Sequence, residues 1–276
     1  MEKASSVLVP TRVASWVVLI VLTISGVMYA PALAVVGVAA CCAVLAAFEF
    51  CNLMRRIGWN ARLWALAFSV GTAVIMSGHS GWDIVPEAVL VGVAVLLVIS
   101  GLPYFLWTNP AQIAKMILAE SMGFLYLGFT LSHIPWIVDD GDGRIWLLYG
   151  LIIVAATDTG AYVFGRLFGR RPLAPAISPS KTIEGAIGGW VSGVCVSVLM
   201  LKVFSLGTGI WVALCVGAAV SAIGQIGDLA ESKLKRVAGV KDSGRIIPGQ
   251  GGILDRIDSV VLVLPVLYHV SKVYIS

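Results

Sequence analysis

Residues 145–165 read IWLLYGLIIVAATDTGAYVFG, twenty-one positions with one charged side chain, Asp158. A helix needs about 20 mostly apolar residues to cross the hydrocarbon core of a bilayer, so this stretch is long enough to do so. In lipid, backbone polar groups find partners only within helices or closed barrels. A barrel strand would alternate in polarity over about ten residues, whereas this run is continuous. It reads as a spanning helix, and the carboxylate inside it is costly enough to demand a metal, a basic partner or a hydrogen-bond donor.

The same pattern recurs along the chain. Runs at about 13–30, 32–53, 62–78, 85–106, 112–138, 185–204, 209–229 and 258–275 complete a set of nine. The first has a small-residue site near Ala32 and Ala34 that resembles a signal-peptide cleavage point, but the apolar sequence continues, so it reads as a retained span. With 59% hydrophobic and 12% charged residues and a mean hydropathy of +0.95, the chain cannot clothe a globule in polar side chains. Soluble domains carry about 45–50% and about 25%. A soluble enzyme, a disordered chain and a disulfide scaffold are excluded. The five cysteines lack the paired spacing of a zinc site or a disulfide framework and read as packing residues.

The expected fold class is therefore all-α, a polytopic transmembrane helical bundle of about nine spans with a cytoplasmic N-terminus. Basic residues support that orientation. Of the nineteen lysines and arginines, only Arg144, Lys202 and Lys272 fall in outside segments. The remainder gather on the cytoplasmic side, as the positive-inside rule requires. The net charge of +4 thus reports topology and contact with anionic membrane lipids, with no nucleic acid as partner. Residues 1–110 are expected to supply scaffold and lipid-facing helices. Residues 111–276 are expected to form the catalytic region of the same membrane domain, with cytoplasmic loops at 166–184 and 229–257.

Eleven charged side chains stand within residues 228–258, among five glycines. Glycine-rich backbone approaches anions closely, and lysines and arginines add charge. Asp255 and Asp258, three residues apart, lie at the mouth of the last span and would share a helix face. Asp228 ends the span before it. Two helix ends joined by a loop can converge, so Asp228, Asp255 and Asp258 are expected to hold Mg²⁺, a hard ion that takes few carboxylates and keeps waters. Asp158 is a weaker candidate. Ahead of the seventh span, Ser178, Lys181 and Thr182 offer hydroxyls, charge and a helix start that suit a phosphate. An ordinary helix cap, with Ser180 as N-cap and Glu184 nearby, explains that segment equally well.

The stretch Ser232-x-Leu234-Lys235-Arg236-x₄-Lys241-Asp242-x-Gly244-x₂-Ile247-Pro248-x-Gln250-Gly251-Gly252-Ile253-x-Asp255-Arg256-Ile257-Asp258 resembles the signature of the phosphatidate cytidylyltransferases, or CDP-diacylglycerol synthases. Asp158-Thr-Gly-Ala-Tyr-x₂-Gly165-Arg166 and Ser178-Pro-x-Lys181-Thr182-x₂-Gly185 are similar to further blocks of that family. The resemblance implies transfer of CMP from CTP to phosphatidate, giving CDP-diacylglycerol and pyrophosphate for phospholipid biosynthesis. It also implies dependence on Mg²⁺, an active site facing the cytoplasm from a bacterial cytoplasmic membrane, and a possible homodimer. Asp228, Asp255, Asp258 and Lys241 are then the expected catalytic set. Ser178, Lys181, Thr182, Lys235, Arg236, Asp242, Gln250 and Arg256 are the expected substrate contacts, with Asp242 orienting a basic neighbour. Gln250 stands where the family pattern has histidine, and glutamine can bond a phosphate but cannot titrate near neutral pH. That departure keeps open a CTP-dependent lipid kinase or a cytidylyltransferase for another lipid phosphate. An ion-coupled transporter is a more distant alternative, since no repeated halves are visible.

Overall fold

Pro31, with φ −54°, separates a short helical stretch ending at Tyr29 from the first long helix. The computed structural model describes residues 23–77, 109–139, 141–246 and 251–275. Helix α1 (Ala32–Arg56) ends on Arg55 and Arg56, whose charges suit the negative end of its dipole, and turns through Gly58 at φ +80°. Helix α2 (Leu63–Ser77) follows. Helix α3 (Pro110–Gly123) starts where the Asn109 side chain accepts the Ala111 N–H at 3.0 Å, with proline in the first turn where its missing N–H costs nothing. It continues through a π-helical stretch, Phe124–Phe129, to α4 (His133–Asp139).

Helix α5 (Gly143–Phe168) holds the Asp158 run. A two-stranded antiparallel hairpin, β1 (Pro172–Ala174) with β2 (Ser178–Thr182), leads into α6 (Ile183–Val203). Helix α7 (Ile210–Val237) precedes the signature loop, and α8 (Leu254–Val261) and α9 (Leu264–Ile275) close the chain.

Five stretches are long and apolar enough to cross a membrane: α1, the run from Pro110 to Asp139, α5, α6 and α7. Helices α8 and α9, bent by 43° at their junction, make a sixth if counted as one span. The chain is a mostly helical membrane protein. The nine expected spans thus become five or six among the described residues. The run at 62–78 forms only the fifteen-residue α2, and the runs at 85–106 and most of 13–30 lie outside the described residues. The hairpin corrects the all-α expectation, because Pro172 and Pro179 break helix propensity just where α5 ends.

Packing explains how the site is held. Helices α5 and α6 meet through small residues: a Cβ added at Gly189 would stand 2.6 Å from the Thr157 carbonyl, and one at Gly185 2.7 Å from that of Ala161. Such close backbone approach drives helix association where lipid removes the hydrophobic incentive. Buried Tyr149 and Trp146 on α5 lie in the same core as Leu264 and Leu267 of the α9 region and Phe50, Leu66 and Leu127 of the N-terminal helices. Tyr149 hydroxyl bonds Ser197 Oγ at 2.5 Å, and Ser197 donates on to the Ala213 carbonyl at 2.6 Å.

A buried ion pair pins α2 to α3. Arg62 gives its backbone N–H and Nε to Glu120 Oε1, both at 2.8 Å, and its Nη2 to Oε2 at 2.6 Å. Elsewhere, Arg144 donates to the carbonyls of Val27, Met28 and Ala30, closing the C-terminal end of the preceding short helix.

Candidate active site

Where α5, the hairpin, the start of α6 and the end of α7 meet, they enclose an open cavity of about 470 Å³. Its lining mixes apolar Ala161, Leu173 and Leu229 with charged Asp158, Lys181 and Asp228. Strand β2 delivers Lys181 to Asp228 on α7, with Nζ and Oδ2 2.5 Å apart and both side chains about 30% open to solvent. Thr182 ends the strand and caps α6, its Oγ1 accepting the Gly185 N–H at 3.1 Å. The N-cap is thus Thr182 and not Ser180, and Glu184 instead accepts the backbone N–H groups of Arg170 and Arg171.

A second polar cluster lies further along α7, which runs on to Val237 instead of yielding to loop at 229. The stretch Leu229–Val237 is rich in Leu, Glu, Lys and Ala, all favourable in helices. Lys235 sits two turns beyond Asp228 and pairs with Glu231 on its own helix and with Asp255 Oδ1 at 2.7 Å. Asp255 Oδ2 also accepts the Gly252 N–H at 2.7 Å and the Ser243 N–H at 3.0 Å. Asp258, 8% exposed, accepts the Ser259 N–H at 2.7 Å. Glu231 Oε1 and the Tyr126 hydroxyl, the latter on the π-helical stretch, are buried without hydrogen-bond partners.

The expected residues are therefore brought together in two groups. Lys181 and Asp228, expected to bind phosphate and metal separately, are direct partners. Asp158 and Asp258 both lie within electrostatic range of Asp228. The expected meeting of Asp228, Asp255 and Asp258 around one point is not formed: among the described residues no three Asp, Glu, His or Cys side chains stand close enough to hold an ion. The reason is local, since both oxygens of Asp255 are engaged by Lys235 and two backbone amides. Arg236, expected at a phosphate, gives Nε to the Ile177 carbonyl at 3.0 Å and Nη1 to that of Val240 at 3.2 Å, tying the hairpin to the end of α7. Ser178 sits opposite Ala174 in the hairpin, half-buried. Lys241, Asp242 and Arg256 are exposed around the signature loop, and Gln250 lies outside the described residues.

A magnesium ion fits this donor set in part. Asp158 and Asp228 open on one cavity roomy enough for waters and phosphate oxygens. Mg²⁺ commonly binds through one or two carboxylates plus water and substrate.

Glu49, on α1, was absent from the sequence-based site. Its carboxylate accepts the Ser243 hydroxyl at 2.9 Å, the Ile253 N–H at 3.1 Å and the Leu254 N–H at 2.9 Å. A lone glutamate within the run at 32–53 was the available signal.

Comparison with known proteins bears on this arrangement. A model of the cytidylyltransferase family matches residues 10–274. A protein named phosphatidate cytidylyltransferase from Staphylococcus haemolyticus (strain JCSC1435) is 50% identical over 146 residues, 53% of each chain. One of that name from Staphylococcus aureus (strain COL) is 46% identical over 147 residues, 53% of this chain and 55% of its own. The aligned part spans about half the length of these relatives.

Proposed function

This chain belongs to the cytidylyltransferase family, and from that premise we propose that it transfers CMP from CTP to phosphatidate, releasing pyrophosphate and leaving CDP-diacylglycerol in the membrane. The observation that carries the reading is the Lys181–Asp228 pair in a cavity whose lining offers both charged and apolar side chains. A lipid phosphate needs both surfaces at once. Its acyl chains require the bilayer and its headgroup requires a cation.

In this reaction a phosphate oxygen of phosphatidate attacks the α-phosphorus of CTP. The new P–O bond forms as the bond between the α- and β-phosphoryl groups breaks, and the electron pair leaves on pyrophosphate. The nucleophile is already anionic, so no strong base is needed. The protein's task is to bring two anions together and to stabilise the charge that grows on the leaving group, by fixed cations and dipoles. Lys181, held by Asp228, faces one phosphate in the cavity. Thr182 and the first amides of α6 stand beside it. Arg166, whose Nη1 meets the Tyr162 hydroxyl at 3.0 Å, is a second cation on the rim. Lys241 on the signature loop and Arg256 on α8, both exposed, are suited to the nucleotide's phosphates. Asp228 and Asp158 would hold Mg²⁺, which when bound would screen the triphosphate and polarise the transferred phosphoryl group. The cavity is taken to face the cytoplasm, where CTP is found, on the strength of the basic residues at that end.

The test is an assay in detergent micelles with phosphatidate, Mg²⁺ and CTP labelled either at the α- or the γ-phosphate. Label entering the lipid phase from α-labelled CTP alone is the expected result, and Lys181→Ala should abolish it. Entry of γ-label would instead establish phosphoryl transfer, and the cytidylyltransferase reading would fall.

A further inference from the structure

We infer that Glu49 is a positioning residue for this transfer, an arm of the N-terminal helices that fixes the two described ends of the signature loop against α1. The inference rests on the reaction proposed above. Glu49 is 2% exposed, seven residues before the end of α1. Its three hydrogen bonds come from Ser243 on one side of the loop and from Ile253 and Leu254 on the other, the latter at the start of α8. A carboxylate there offers two acceptor oxygens to the first amides of a helix, where an amide side chain would offer one. The fit leaves no slack. A Cβ at either Gly244 or Gly252 would collide with the Glu49 carboxylate.

Glu49 is not needed to hold α1 itself, which buries Ala43, Ala46, Ala47 and Phe50. What its carboxylate adds lies in the loop. Ser243 donates its hydroxyl to Glu49 and its backbone N–H to Asp255, and Gly252, just before the amides that Glu49 binds, donates to Asp255 as well. Asp255 in turn holds Lys235, on the helix that presents Asp228 to the cavity. A chain of contacts therefore runs from α1 to the charged end of α7. Without the carboxylate, Ser243 and the 253–254 amides lose their shared acceptor, and the Asp255–Lys235 pair loses its support.

Glu49→Gln keeps the volume but puts an N–H₂ in place of one acceptor oxygen, facing either the Ile253 N–H or the Ser243 hydroxyl and Leu254 N–H. The expected result is an inserted, folded protein whose kcat falls about tenfold or more, equivalent to about 1.4 kcal/mol of barrier, while KM for CTP changes less than threefold. Hydrogen exchange at Ser243, Ile253 and Leu254 should accelerate in the same variant. Glu120→Gln, which disturbs the buried ion pair with Arg62, should lower thermal stability but leave exchange at those three amides unchanged. Glu49→Gln with unaltered kcat, or with a fall in kcat that Glu120→Gln reproduces, overturns the inference. If the wild type moves no CMP to phosphatidate, the reaction is wrong, and exchange alone decides whether Glu49 fixes the loop: unaltered exchange overturns it.

Discussion

At the scale of single residues, the Lys181–Asp228 pair is the centre of the proposed reaction, and both partners were legible in the sequence because each interrupts or borders an apolar run. Their pairing was not, since forty-six residues of intervening chain hide it. Removing either member strips the cavity of a matched charge. Lys181→Ala and Asp228→Asn are each expected to cost about a hundredfold or more in kcat/KM, the range seen when one preorganised electrostatic group is lost. CMP transfer in micelles measures both. Asp255→Asn should also depress activity, but by loosening Lys235, with the concentration of Mg²⁺ for half-maximal rate unchanged. A large rise in that concentration would restore Asp255 as a metal ligand. Asp255 shows what residue type leaves out: an acid beside Asp258 at helical spacing also accepts the Gly252 and Ser243 N–H groups, which spacing does not announce.

At the scale of elements, the long runs among the described residues translated into helices, because apolar length fixes a spanning helix with little help from context. The 145–165 run is α5 and the 185–204 run is α6, within a few residues. What the apolar count missed was charged or short. The end of α7 continues through Glu231, Lys235 and Arg236, where helix propensity outweighs polarity, and the hairpin at 172–182 is too small to show in any periodicity. The contact of α5 with α6 had a signal that went unread. Gly185, Gly189 and Gly193 recur every fourth residue, and Thr157, Ala161 and Gly165 answer them. Gly189→Ala should therefore separate the helices and lower stability by about 1–3 kcal/mol, the usual cost of overpacking, visible as a lower midpoint of thermal unfolding in detergent. Gly37→Ala, where an added Cβ meets nothing within 4 Å, serves as its neutral counterpart.

At the scale of the whole molecule, the sequence divided the chain into a scaffold half and a catalytic half. The structure joins them through polar bonds that no local pattern announces. Glu49 reaches a loop some two hundred positions later, and Arg62 meets Glu120 in a pocket where both are buried. Such long-range pairs depend on the packing of whole helices, so a reading by local spacing has no access to them. Arg62→Met leaves a buried carboxylate without its partner and is expected to cost about 3–5 kcal/mol. Because the site lies at the other end of the chain, kcat of the folded fraction should hold near the wild-type value, which separate measurements of unfolding and turnover will resolve.

The resting cavity is close to self-neutralised, and that has a thermodynamic consequence. An incoming phosphate must draw Lys181 away from Asp228, and an incoming divalent cation must draw Asp228 away from Lys181. Each guest frees the group the other needs. Nucleotide and cation should accordingly bind with positive heterotropic coupling, equal in both directions because linkage is reciprocal. Calorimetric titration of CTP with and without Mg²⁺ should show that coupling in the wild type, and show it reduced in Asp228→Asn, where Lys181 is already released. The protein would then discriminate against either ligand arriving alone, a form of order imposed by charge pairing.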